Sequence, residues 1–528
     1  MGKRLGVAVA SPTAARRRLW LFAAAVAGTA AICAAPQPAG LSLEGQYALA
    51  TLFFAAFLWV TAALPLAVTA LAIPLVLTVL GVYPDIDPAL AGFANHLIFL
   101  FIAGFMLANA LQKYRIDRRI ALRLMAVMGS SPRLLVLAVM LATAFLSMWV
   151  SNTATTAMML PIALGVLTQV LGSHRLRDDS ASESAFTNMQ VAMLLGTAYG
   201  ASIGGVATLI GTPPNTVVAA QLEKLAGVSV GFTDWLVIGL PLVAVTLPLA
   251  WYLLTFWLYP PGDLDVADAR AEAARELAAE GPLPPAGRRV AGIFAVTAGL
   301  WVLGGLDFVT AGVLPPAWQT TLFGGDGATL LGTTEGHQGV LYYVVVGLAA
   351  IPALVLADTM DWDELADIDW GTILLFGGGI ALADAFAKTG ATGWLAESFF
   401  QALVGAPIVA VVGAVVLLVI FLTEVTSNTA TATILAPLLV GLGGILAGTL
   451  GLSEQGAAVF LAVAGGVAAS YAFALPVATP PNAIVFGAGR LRQAHMMRAG
   501  IVLNLVMTAV LTALITALFY WVWPGLLW

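Results

Sequence analysis

The chain is poor in charge. Asp, Glu, Lys and Arg make up 9% of its 528 residues, while hydrophobic residues make up 60%. A soluble domain carries roughly 25% charged residues, and one soluble core has no use for so much apolar surface. A bilayer does: a spanning helix needs about 20 apolar residues, and such stretches recur along the whole chain. Cysteine is nearly absent. The single Cys33 lies in an apolar run, which excludes an intramolecular disulfide and leaves the redox compartment unreadable. The four histidines, His96, His174, His337 and His495, are too scattered for a metal-ligand cluster. No basic patch of a nucleic-acid-binding kind is present. The apolar stretches also lack a nucleophile–base pair or metal triad, which argues against an intramembrane enzyme.

Lys and Arg are confined. The segments 1–18, 113–133, 174–179, 260–289 and 490–498 hold nearly all of them, and the loops 84–95 and 307–338 hold none. Apolar spans are expected near 19–35, twice within 47–82 with a break at Pro65, and at 96–111, 187–225, 233–259, 290–306, 339–357, 371–388, 455–489 and 499–525. Two further apolar stretches, about 134–172 and 406–450, are interrupted by polar residues near their middles. If each interrupted stretch enters and leaves on one side, about eleven full spans put every basic segment on the same face. The expected fold is therefore all-α and polytopic, with about eleven transmembrane helices plus two re-entrant hairpins. The basic N-terminus precedes an apolar run and could pass for a signal peptide. It reads as a cytoplasmic flank to a first spanning helix. The basic stretch 113–133 is amphipathic and should lie along the interface.

The chain divides into a cytoplasmic N-terminal segment (1–18), a first half (19–259), a charged, Ala-rich cytoplasmic linker (260–289) that reads as solvated with a short helix, and a second half (290–528). The halves share motifs. SMWVSNTATTAMMLP runs from Ser147 to Pro161, and TEVTSNTATATILAP from Thr423 to Pro437. Downstream, GTPPN (Gly211 to Asn215) is matched by ATPPN (Ala478 to Asn482). Two different motifs recurring in one order indicate an internal repeat, and broken helices at matching positions of a repeat point to a transporter's binding site.

Each motif has a physical use. Ser-Asn-Thr inside an apolar hairpin caps a half-helix, and helix N-termini attract anions. Thr-Pro-Pro breaks a helix by removing backbone donors, and the freed carbonyls are tolerated in a membrane where they line a cavity. Carbonyl, hydroxyl and amide oxygens are hard ligands suited to a small cation such as sodium. Two Ser-Asn-Thr copies can each take one carboxylate, which favours a substrate with two.

Paired in this way, the SNT and TPPN motifs resemble those of the divalent anion/sodium symporters (DASS), which include dicarboxylate carriers of the INDY type. The resemblance covers nearly the whole chain. It implies an inverted repeat, scaffold and transport domains, an elevator-like movement, a homodimer in the bacterial inner membrane with a cytoplasmic N-terminus, and uptake of a succinate-like C4 dicarboxylate with sodium. By motif position, one sodium would meet Ser147, Ser151, Asn152 and the carbonyl of Gly211. A second would meet Thr423, Asn428 and the carbonyls of Thr426 and Ala478, since family members vary in side chain at the position of Thr426. Substrate would lie between Ser151, Asn152, Thr153 and Ser427, Asn428, Thr429, with Thr212, Pro213, Thr479 and Pro480 lining the same cavity. Rival readings are a sodium-independent dicarboxylate exchanger, a citrate or sulfate carrier of the same family, and an anion channel.

Other polar residues in the spans are few. Glu424 lies in the second hairpin, with a structural role the expectation. Asp384 and Lys388 are four apart and could pair. Asn95 and Asn109 are expected to pack or cap, and Trp20, Trp251, Trp257, Tyr520, Trp521 and Trp523 to anchor span ends.

Overall fold

A computed structural model describes residues 12–128, 130–177, 183–310, 312–330, 332–400 and 404–523. The course begins with α1 (Pro12–Ala34), α2 (Leu43–Thr61), α3 (Leu66–Val79) and the short α4 (Ile86–Leu90). Next come α5 (His96–Lys113), α6 (Ile116–Met128), α7 (Pro132–Ser147), α8 (Asn152–Arg177), α9 (Glu183–Gly204) and α10 (Pro213–Gln221). α11 (Phe232–Tyr252), α12 (Ala267–Ala279), α13 (Pro285–Gly304), α14 (Asp307–Thr310) and α15 (Pro316–Phe323) lead to two strands, β1 (Gly325–Thr329) and β2 (Gly332–His337). Then follow α16 (Tyr343–Leu356), α17 (Trp362–Ala366), α18 (Trp370–Thr389), α19 (Ala391–Phe400) and α20 (Ile408–Thr423). The chain ends with α21 (Asn428–Leu450), α22 (Glu454–Ala468), α23 (Pro480–Gly487) and α24 (Gln493–Trp521).

Ten helices among the described residues are long and apolar enough to cross a membrane. They include α8 and α21, the second arms of the interrupted stretches. α3 and α16, anticipated as spans from their apolar runs, hold 14 helical residues each, or about 21 Å of helix. The spans differ in what surrounds them. Thr187–Ala207 is 94% buried within the protein and Arg16–Ala34 only 11%. An apolar helix left this bare needs an apolar solvent.

The described residues fall into two compact units, which do not follow the sequence halves. One is drawn from 1–95 and 370–402, the other from 96–369 and 403–528. In the first, α18 packs on α3 through its glycine run: a Cβ on Gly378 would lie 2.7 Å from the Ala70 carbonyl oxygen. Gly92 meets the Ala381 backbone just as closely. Small residues let helix backbones approach where no hydrophobic effect distinguishes helix from lipid. Gln46 donates to the carbonyls of Ile32 and Ala35, satisfying the end of α1. Lys388 donates to the Val82 carbonyl and lies over the Tyr83 ring, 4.3 Å from its centre.

In the second unit α7 packs against α9, and Gly204 stands where a Cβ would come within 2.3 Å of the Ala144 carbonyl oxygen. α21 packs on α22 in the same way through Gly443 and Ala458. Asn109 donates to the carbonyls of Glu364 and Asp367, capping α17. The Lys113 ammonium, 2.5 Å from Glu364, holds that carboxyl below the usual carboxylate range. The Trp257 and Trp521 rings are exposed, as span-end anchors would be.

Two features depart from the sequence expectation. The loop 307–338 contains an antiparallel ribbon, β1 with β2, whose Gly325, Gly327, Gly332 and Gly336 take positive φ. The linker is not merely a solvated strip. Its helix α12 packs on α6 and α8, burying Ala269 and Ala273, while Arg118 pairs with Glu276 (2.9 Å) and Glu280 (3.1 Å). Alanines four apart give α12 a narrow apolar face, too faint a stripe to stand out in sequence.

Candidate functional site

Both interrupted stretches break at the anticipated residues. α7 ends at Ser147 and α8 begins at Asn152; α20 ends at Thr423 and α21 begins at Asn428. In both, the motif serine caps the second arm. Ser151 Oγ accepts from Ala154 N (3.3 Å), and Ser427 Oγ from Ala430 N (3.1 Å). The capping oxygen accepts one bond, and its O–H remains able to donate to an anion. The residue four positions earlier bonds the motif asparagine: Ser147 Oγ donates to Asn152 Oδ1 at 2.6 Å, and Thr423 Oγ1 to Asn428 Oδ1 at 2.8 Å. Pro161 and Pro437 lie inside α8 and α21, which neighbouring helices make tolerable in a membrane.

The downstream motifs also act as breaks. After α9 the chain leaves the α-helix at Gly205 and re-enters at Pro213. After α22 it leaves at Ala469 and re-enters at Pro480. Thr479 caps α23 by accepting from Asn482 N (3.2 Å). Pro at the first helical turn costs no hydrogen bond, because that donor would be orphaned anyway.

The first break is packed tightly around the first hairpin tip. A Cβ on Gly211 would lie 2.4 Å from Gly205 O and 2.9 Å from Ser147 O. One on Gly205 would lie 2.4 Å from Asn152 Oδ1 and 3.2 Å from Gly211 O. Ser147, Asn152, Gly205 and Gly211 thus converge on one cluster of oxygens. Asn152 Nδ2 also reaches Thr212 Oγ1 at 3.5 Å. Thr208 donates to the Met148 carbonyl, tying the break to the tip.

The second break is tied differently. Thr423 Oγ1 reaches the Ala469 carbonyl oxygen at 3.1 Å. Glu424, 4% exposed, accepts from the backbone N–H groups of Phe473 (2.7 Å), Ala474 (2.7 Å) and Leu475 (2.9 Å), and from Asn504 Nδ2 (2.7 Å). It therefore fastens the unwound segment that leads to Ala478 and Thr479. Thr426, anticipated as a cation ligand, turns its hydroxyl to the Leu422 carbonyl and to Thr431. Only its carbonyl remains as an oxygen for an ion.

The halves are interleaved. α10, which begins at Pro213, packs on α21, which begins at Asn428; α23, which begins at Pro480, packs on α8, which begins at Asn152. Each broken helix therefore rests on the other half's hairpin arm. Ser147, Thr423, Thr212, Thr479, Gly211 and Ala478 are buried, while Asn152, Asn428, Ser151, Ser427, Thr429 and Pro213 are half-buried and Thr153 and Pro480 exposed. Among the described residues no group of three or more His, Cys, Asp or Glu side chains is arranged so that it could hold a metal ion. Any cation here would meet backbone, hydroxyl and amide oxygens.

Sequence reasoning missed Gly205, Thr208, Asn504 and the anchoring roles of Asn215 and Asn482. The two asparagines close the TPPN motifs. Each amide donates to carbonyls of its break: Asn215 to Gly205, Val206 and Thr208, Asn482 to Ala472 and Leu475. Their matched places in both motifs could have flagged them.

Comparison with known proteins agrees with this architecture. A family model described as the sodium:sulfate symporter transmembrane region matches residues 16–527. A sodium-dependent dicarboxylate transporter, SdcS, of Staphylococcus saprophyticus is 33% identical over 89% of this chain and 85% of its own length. An uncharacterized transporter of Haemophilus influenzae is 38% identical over 87% of this chain and 88% of its own. A crystal structure of the YdaH transporter of Alcanivorax borkumensis shares the fold, with a TM-score of 0.51 at 16% identity over 98% of this chain and 99% of that one. The chain is an all-α polytopic membrane protein of the sodium:sulfate symporter family, the divalent anion/sodium symporters that its twin motifs resemble, and so a transporter rather than an enzyme.

Proposed function

We propose that the protein is a secondary active transporter that couples sodium influx to uptake of a small dicarboxylate of the succinate class. The observation that carries this reading is the interleaving of the halves, each broken helix packing on the opposite hairpin arm. Four helix N-termini, at Asn152, Pro213, Asn428 and Pro480, belong to this one interleaved set, and partial positive charge at such ends favours an anion. None of the four motifs contains Lys or Arg. A di-anion bound at mid-membrane then needs another source of positive charge, since an isolated charge there costs several kcal/mol or more. Sodium held by Ser147, Ser151, Asn152 and the carbonyl of Gly211, and by Thr423, Asn428 and the carbonyls of Thr426 and Ala478, supplies it. Substrate meets Ser151, Asn152, Thr153, Ser427, Asn428 and Thr429, with Thr212, Pro213, Thr479 and Pro480 alongside. The names of the staphylococcal relatives support both sodium and dicarboxylate.

Alternating access follows. α7 and α20 hold 16 residues each, about 24 Å of helix, short of a hydrocarbon core about 30 Å thick. We take them with α8 and α21 as re-entrant hairpins whose tips sit in mid-membrane. Sodium binds first and orders the tips, the di-anion follows, and the loaded domain slides past a scaffold in an elevator movement. The working assembly is a homodimer in the inner membrane with its N-terminus in the cytoplasm.

Uptake of labelled succinate into proteoliposomes tests this directly. Saturable uptake should appear with external sodium and vanish when choline replaces it. Persistent uptake in choline rejects the coupling, and succinate counterflow in sodium-free vesicles favours an exchanger. The family description names sulfate, so excess sulfate belongs in the same assay. Displacement of succinate by sulfate, without displacement by fumarate, would move the substrate class to the inorganic anion.

A further inference from the structure

The asparagines of the hairpin tips are among the proposed ion and substrate ligands, whereas those of the two TPPN motifs anchor the backbone of their own breaks. Asn215 and Asn482 are both fully buried, at 0% exposure. Asn215 Nδ2 donates to the carbonyls of Gly205 (3.0 Å), Val206 (3.4 Å) and Thr208 (2.7 Å). Asn482 Nδ2 donates to the carbonyls of Ala472 (3.1 Å) and Leu475 (3.1 Å). Gly205 and Thr208 stand ten and seven residues before Asn215, and Ala472 and Leu475 stand ten and seven before Asn482. One clamp is therefore built twice. In each clamp the other amide atom is left over: no donor among the described residues reaches Asn215 Oδ1 or Asn482 Oδ1. A buried acceptor without a partner is costly, and its appearance at the same place in both halves argues for a purpose.

Unwound backbone offers more carbonyls than an ion can use, and they point in many directions. The Asn215 clamp takes up the carbonyls of Gly205, Val206 and Thr208. Gly211 O and Ser147 O are left on the cluster that also holds Asn152 Oδ1. We propose that Asn215 and Asn482 are positioning residues for the two cation sites. Each fixes the unwound segment through its amide N–H groups, so that the carbonyl at Gly211 or Ala478 faces the ion. Each turns its remaining oxygen toward the ion's coordination sphere. This inference rests on the sodium reading above.

The test uses full-length protein and follows sodium-dependent thermal stabilisation, with sodium titrated against choline and no substrate present. Succinate uptake is then measured over the same sodium range. Asn215→Asp and Asn482→Asp keep the shape and one oxygen but can donate at most one hydrogen bond in place of two. Asn215→Ala and Asn482→Ala remove the clamp. All four should raise the half-saturating sodium concentration about tenfold, the effect of losing one buried hydrogen-bonded anchor, and saturating sodium should restore the wild-type uptake rate. Aspartate variants that bind sodium as tightly as wild type would overturn the proposal, since the amide donors would then be dispensable. It is equally overturned if the variants lose stability in choline with no change in sodium requirement, or yield no folded protein, because the asparagines would then serve the fold alone. A wild-type protein indifferent to sodium would instead sink the underlying sodium reading, a different outcome from variants that match a responsive wild type.

Discussion

The two halves build the same break with different chemistry. In the first, a hydroxyl and close packing do the fastening: Thr208 bonds the Met148 carbonyl, and Gly205 and Gly211 press against Ser147 and Asn152. In the second, the residue matching Met148 is Glu424, and its carboxylate gathers three backbone N–H groups and the Asn504 amide. The positions matching Gly205 and Gly211 are Ala472 and Ala478, so this break has room for methyl groups. One half excludes side chains to bring its oxygens together. The other holds its backbone with a buried charge and can afford looser packing. A repeated motif thus fixes where the chain breaks, and each half is free to choose what holds the break in place.

Removing the charge is the harshest way to test this contrast. Glu424→Ala would leave three backbone donors and an amide unpaired in the interior. The expected cost is about 3–5 kcal/mol, read as a large fall in melting temperature and loss of uptake. A melting temperature within a degree or two of wild type would show that the carboxylate is not the fastener. Crowding is next. Gly211→Ala places a methyl 2.4 Å from the Gly205 carbonyl oxygen and should cut sodium-dependent uptake about 100-fold, as misplacing reactive groups by about 1 Å can. Ala478→Gly should leave uptake within about threefold, costing chiefly backbone entropy. Equal effects from the pair would erase the difference in packing between the halves. The mildest change is Thr208→Val, which removes one hydrogen bond to Met148 at nearly constant volume. A loss near 1 kcal/mol is expected in thermal or denaturant unfolding. A loss as large as that of Glu424→Ala would mean that the first half, too, hangs on a single tie.

How much of this could be read from sequence depended on contrast with the surroundings. Ser-Asn-Thr and Thr-Pro-Pro-Asn stand out because their neighbours are apolar, and their breaks fall at the anticipated residues. The apolar span at 96–111 is just as plain, and α5 occupies it. Glu424 was visible as an intramembrane carboxylate, but its partners lie 49 to 80 residues away, and no local pattern names them. Arg118 and Glu276 are separated by 158 residues, so the docking of α12 on α6 was hidden, and the segment looked like a solvated linker. The ribbon β1–β2 is rich in glycine and threonine, a composition shared with ordinary loops. Thr426 shows the limit from another side: the family resemblance assigned its backbone carbonyl to the cation, but only the folded chain shows where its hydroxyl goes, to Leu422 and Thr431.

Composition and motif spacing alone place this chain in a membrane, reveal its repeat and mark where its helices break. Those properties follow from local composition, and 60% hydrophobic residues with two paired polar motifs leave few other solutions. Which broken helix meets which hairpin emerges from long-range packing alone. α10 would satisfy its own backbone equally well beside either hairpin, because helical hydrogen bonds are internal to the helix. Its packing on α21, and that of α23 on α8, is settled by side-chain fit between segments far apart in the chain.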